Sequence, residues 1–145
     1  MTNDIDVLNT VTKTLIDSRK GYETCCKVVD DSYALKSNFQ ERAQRRLLLI
    51  EEFQSAVGAL GGEAVTTGSV AGKAHRAWTS FTSLFADDEK AAAEALDDGE
   101  EFLADKIEDQ LSKSDLNLKT RALLTKAYAD ARDGENFADM LEKVL

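Results

Sequence analysis

Tyr33-Ala34-Leu35-Lys36-Ser37-Asn38-Phe39-Gln40-Glu41-Arg42-Ala43-Gln44-Arg45-Arg46-Leu47-Leu48-Leu49-Ile50-Glu51-Glu52-Phe53, continued to Leu60, decides the fold. Leu35, Phe39, Arg42, Arg46, Leu49, Phe53, Ala56 and Leu60 recur at alternating spacings of four and three, the repeat that keeps one stripe of a helix facing its neighbours. The ends of this stripe are apolar and its middle is two arginines. A buried guanidinium needs acceptors on the surrounding helices, because an unpaired buried charge costs several kcal/mol.

The other segments carry the same signature. Ile5, Leu8, Thr12, Leu15, Arg19, Tyr22, Cys26 and Val29 form the stripe of a first helix, capped by Thr2-Asn3-Asp4 and running to about Asp30. Asp30-Asp31-Ser32 breaks the chain before the second helix, and Gly61-Gly62 ends that helix. Thr66-Thr67-Gly68-Ser69 opens a shorter helix, expected over about Val70–Phe85. Ala86-Asp87-Asp88-Glu89 caps the next long helix, to about Ser112, with Ala92, Leu96, Gly99 or Glu100, Leu103, Ile107 and Leu111 as its stripe. Ser114-Asp115 is read as the cap of the last helix, whose stripe is Leu116, Thr120, Leu123, Ala127, Asp130, Gly134, Phe137, Leu141 and Val144. Short turns join helices one to two and three to four, and a long connection joins two to three. This predicts an all-α, ferritin-like four-helix bundle: a single domain, residues 1–145, of two antiparallel hairpins tied by a long helical crossover, with helices two and three parallel.

Composition agrees. The 145 residues include no proline, and 43% are hydrophobic. A formal net charge of −9 argues against nucleic acid or an anionic membrane as partner. No stretch approaches the ~20 apolar residues of a membrane span, and the first residues lack a signal-peptide layout. Cys25 and Cys26 are neighbours on a helix, pointing ~100° apart, and read as reduced thiols of a cytoplasmic protein.

Counting outward from the turns places Arg19, Tyr22, Arg42, Arg46, Glu100, Tyr128 and Asp130 at one level, with Gly21 and Gly99 in the same slab and Gly134 one turn away. Two readings follow. The arginines pair with Glu100 and Asp130 in a buried network that fixes helix register, or the layer is a pocket for an anion or a metal. An iron site would draw on Glu23, Glu41, Glu100 and Asp130. A di-iron bundle of the common kind also needs two Glu-x-x-His pairs, and both Glu41-Arg42-Ala43-Gln44 and Asp130-Ala131-Arg132-Asp133 lack the histidine. The only histidine is His75, in the crossover. No Ser-His-Asp set, phosphate loop or zinc spacing occurs, so nothing supports nucleophilic catalysis.

Several stretches together resemble a bacterial family of ferritin-like four-helix-bundle proteins, filed as a domain of unknown function and related to stress-induced bundle proteins. They are Asp17…Gly21-Tyr22, then Phe39…Glu41-Arg42-Ala43-Gln44…Arg46, then Glu52-Phe53-Gln54…Leu60-Gly61-Gly62 and Gly99-Glu100. The most specific is the crossover motif Gly68-Ser69-Val70-Ala71-Gly72…His75-Arg76…Trp78. The resemblance implies the fold and a loose stress association, without an activity. Its members often carry a histidine late in helix four, where this chain has Glu135, which weakens a metal site. The expected function is therefore a non-catalytic, stress-associated structural or interaction protein. The alternatives are a metal-binding or oxidative-stress enzyme using iron, and a small-anion binder at Arg19, Arg42 and Arg46. Trp78, Phe81, Leu84 and Phe85 exceed what one helix on a filled bundle buries, and suggest a homodimer through the crossover helix.

Overall fold

The computed structural model describes residues 2–29, 32–69, 89–113 and 115–145. They form four helices, α1 (Thr2–Val28), α2 (Tyr33–Ala59), α3 (Glu89–Leu111) and α4 (Leu118–Val144), and no strand among the described residues. The fold is an all-α four-helix bundle. The expected crossover helix, with Gly72, His75, Arg76, Trp78, Phe81, Leu84 and Phe85, lies outside the described residues.

Each helix stops where its sequence requires. At the end of α2, Gly61 takes the left-handed conformation (φ 82°), and the Gly62 N–H donates to the Val57 carbonyl, so the last carbonyls are satisfied. The start of α4 differs from expectation. Asn117, not Ser114-Asp115, is the N-cap, its side chain accepting from the Thr120 N–H at 2.8 Å. Asp115 instead accepts from Asn3 at 2.8 Å.

α1 packs along α2 and α3 along α4; α1 with α3 and α2 with α4 close the ring. The Asn117 N–H donates to Asp4, so α1 and α4 start at the same end of the bundle. Neighbouring helices are thus antiparallel, while the diagonal partners α2 and α3 run parallel. The connection leaving α2 climbs beside α1. Asn9 donates to the Glu63 carbonyl and accepts from the Val65 N–H, and higher up Asp17 accepts from the Ser69 N–H. At Gly68 a Cβ would collide with the Asp17 carboxylate, so only glycine lets the chain lie this close.

The core is in two parts. One cluster, at the end where α1 begins, is built around Leu8, Leu15, Phe53, Ile107 and Leu124. The other, at the opposite end, holds Tyr22, Cys25, Phe39, Leu96 and Ala138.

Candidate functional site

Between the two clusters, each helix contributes one side chain to a polar layer: Tyr22 from α1, Arg46 from α2, Glu100 from α3 and Asp130 from α4. Arg46 and Glu100 are 1% and 0% exposed, on diagonally opposed helices, and meet across the bundle axis. The pairing is bidentate, Nη1 to Oε1 and Nη2 to Oε2, both at 2.6 Å. Arg46 Nε donates to Asp130 Oδ2 at 2.8 Å and Nη2 to the Asp130 carbonyl at 3.3 Å, so four of the five guanidinium N–H groups are used. The Tyr22 hydroxyl donates to Glu100 Oε2 at 2.6 Å. Its ring also lies beneath Arg46, 5.5 Å from the guanidinium carbon.

Burial and charge oppose each other here. Burial alone would lower the pKa of Arg46, but the Glu100 carboxylate, with Tyr22 and Asp130, outweighs it and raises the value. Burial, and next the Glu100 charge, push the Tyr22 phenol well above its ordinary range. The layer therefore holds a fixed cation and a neutral phenol.

A second tier flanks it. Arg42 pairs with Asp133 at 3.2 Å and lies over the Phe137 ring at 4.5 Å. Its Nη1 is buried without a hydrogen-bond partner. Arg45 sits within 4.0 Å of Asp130 and Asp133, at 3.9 and 3.6 Å. Arg42, Arg45 and Arg46 thus face Glu100, Asp130 and Asp133, and the layer balances its charge.

Tyr22, Arg46, Glu100 and Asp130 come together as the level counting places them, with Arg42 one turn away, and two members do not join. Arg19 is 39% exposed and pairs with Glu23 on its own helix. A stripe spaced at 3.5 residues drifts ~20° per heptad on a straight helix. By the middle of α1 the buried line has rolled onto Ser18, Tyr22 and Cys25, leaving Arg19 and Cys26 at the edge. Tyr128 donates to Glu108 at 3.2 Å, well below the layer. The late start of α4 brings a higher-numbered residue, Gly134, opposite Glu100. There a Cβ would lie 2.7 Å from the Glu100 Cδ and 2.8 Å from the Tyr22 hydroxyl. Gly134 is the space that the network occupies. The contributions of Arg45, Asp133 and Phe137 were not foreseen, although Asp133 follows Asp130 at the i, i+3 spacing that shares a helix face.

The donors proposed for iron do not assemble. Glu23 and Glu41 pair with Arg19 and Arg45 at the surface, at 3.8 and 3.0 Å, while Glu100 and Asp130 are spanned by Arg46. A guanidinium at that position repels a cation, so this set does not fit a di-iron centre. Among the described residues, carboxylates within 4.8 Å of one another occur instead as Asp97–Glu101–Glu135 and Asp97–Asp139–Glu142, on the α3–α4 surface. Of the crossover motif, Gly68 and Ser69 bear on Asp17, and the remainder lies outside the described residues.

No curated protein and no solved structure matches the chain. One family profile does, over residues 3–113, a span that holds Tyr22, Arg42, Arg46 and Glu100 and ends before Asp130, Asp133 and Gly134. By that match the chain belongs to the family described as "Domain of unknown function (DUF2383)".

Proposed function

We propose that the chain is a non-catalytic, ferritin-like helical-bundle protein of the cytoplasm that acts structurally or through protein contacts. The observation that carries this reading is the saturation of the central layer. Arg46, Glu100, Tyr22 and Asp130 satisfy one another, and Gly134 leaves no volume beside Glu100 for a substrate. A reaction centre needs groups left open to a ligand, and a register-fixing network uses them up. The ferritin-like assignment is supported by two antiparallel hairpins with parallel α2 and α3. The stress association rests on the family resemblance alone. Adjacent free thiols suit a reducing compartment.

A competing reading, small-anion binding at the arginines, has one observation in its favour, the unpaired Nη1 of Arg42. Two measurements separate the readings. Purified protein is loaded anaerobically with ferrous iron, desalted and analysed for metal, and is titrated calorimetrically with inorganic phosphate. The structural reading expects no retained iron and no saturable heat. About two irons per chain, lost in Glu100→Ala, would establish the metal enzyme. Saturable phosphate binding, lost in Arg42→Gln, would establish the anion site.

A further inference from the structure

α2 and α4 touch least of the four neighbouring helix pairs. A groove runs between them, with Leu48, Leu49 and Ala129 on its floor. Leu48 is 52% exposed. The large hydrophobic side chains exposed elsewhere among the described residues belong to the same two helices or to Leu145 just beyond α4: Tyr33, Leu118, Met140 and Val144. Their spacing is ordered. Leu118, Ala129 and Met140 are separated by eleven residues each, three turns within about 20°, and so lie in one line along α4.

The charges are ordered about the same level. Three residues before Ala129 is Lys126 and four after it is Asp133. Three residues before Leu48 is Arg45 and four after it is Glu52. Both helices therefore carry a cation and an acid on one side of a small or apolar centre, in the same order along the chain. Within one molecule these charges cross-pair, Lys126 with Glu52 at 2.7 Å and Arg45 with Asp133 at 3.6 Å, which sets Leu48 and Ala129 at one height.

We propose that this face binds a second copy of the chain, through a two-fold axis crossing both helices at the level of Leu48 and Ala129. The axis sets α2 against α2 and α4 against α4, antiparallel. It brings Leu118 of one copy to Met140 of the other, Lys126 to Asp133, and Arg45 to Glu52. The internal ion pairs become alternating four-charge squares, and the exposed leucines are covered. A face the length of these helices, about 40 Å, and two helices wide, about 20 Å, offers about 800 Å² per partner, the size of a standard stable interface. The pattern is self-complementary, which is what an isologous contact requires. The contact shares Arg45 and Asp133 with the outer tier of the central layer but leaves Tyr22, Arg46 and Glu100 untouched, so it does not rest on the reading of that layer.

Sedimentation of the full chain across micromolar concentrations tests it. The expected species has twice the 15.9 kDa of the chain. Leu48→Glu, at an exposed position, should raise the dissociation constant by about tenfold or more while leaving the helical circular dichroism unchanged. Ala129→Cys in a Cys25→Ala, Cys26→Ala background should give a covalent dimer on mild oxidation, and Lys20→Cys in the same background should not. A chain that is monomeric at every concentration overturns the proposal. So does a dimer that Leu48→Glu leaves intact and Ala129→Cys fails to cross-link, which would place the contact on another surface.

Discussion

Arg46 is the residue whose removal the bundle should tolerate least. Arg46→Met leaves Glu100 as an unpaired buried carboxylate, an expected loss of about 3–5 kcal/mol in urea unfolding. Adding Glu100→Met should recover most of that loss, because a methionine pair of similar volume has no charge to desolvate. Gly134→Ala gains up to about 1 kcal/mol in helix propensity. It should nevertheless destabilise by about 1–3 kcal/mol, since Glu100 is held by Arg46 and Tyr22 and cannot swing away. Tyr22 gives a pH test. Its pKa is raised on folding, so its contribution is complete below about pH 10 and is lost as pH rises beyond that. Tyr22→Phe should cost about 1–3 kcal/mol at neutral pH, and the gap from wild type should narrow in alkaline unfolding curves. Arg46, Glu100 and Asp130 were legible because each interrupts an otherwise apolar stripe. Arg19 looked equivalent to them, and only the drift of a real helix against an ideal seam separates it.

At the scale of elements, the α3–α4 pair carries a conflict that the stripes did not reveal. Asp97, Glu101, Glu135, Asp139 and Glu142 crowd one surface. Burial first raises the pKa of Asp97, Glu135 and Glu142. It is opposed at Asp97 by the hydrogen bond with Glu142 and at Glu135 by the Arg132 charge, and the neighbouring acids add to it at all three. A raised carboxyl pKa favours the folded state fully below the unfolded value near 4, and that advantage is lost as pH rises through the folded value. Asp97→Asn should therefore stabilise the bundle by about 0.3–1 kcal/mol at pH 7, with the gain vanishing in thermal melts near pH 4. The start of α4 offers a simpler check. Asn117→Ala removes the bond to the Thr120 N–H and should cost about 1 kcal/mol. Ser114-Asp115 reads as an equally good cap in sequence. What favours Asn117 is the far end of the chain, since Asn3 engages Asp115 and Asp4 engages the Asn117 N–H, and a local reading cannot see those partners.

For the molecule as a whole, loop lengths were enough to predict two hairpins and the parallel run of α2 and α3. The path of the connection was not legible, because its fastenings to α1 are single polar bonds rather than a periodic pattern. Asn9 makes two of them, so Asn9→Ala should speed amide exchange at Val65 and lower global stability by about 1–2 kcal/mol. Asp17, buried at the same surface, looked like part of a family signature. The structure gives it a physical task, holding the backbone at Ser69.

The central layer also bears on how the protein is made. Arg46 finds Glu100 54 residues later in the chain, and Asp130 84 residues later. At about 5–20 residues per second, the second partner emerges from the ribosome about 4–17 s after the arginine does. Through that interval the first hairpin can form its turn but cannot close over its own centre, because the cation there has no counter-charge until Glu100 arrives and lacks the Asp130 acceptors after that. Synthesis of α4 is thus the step that permits the nascent bundle to become dry inside, and a chain stalled before Asp130 should remain open and sensitive to protease.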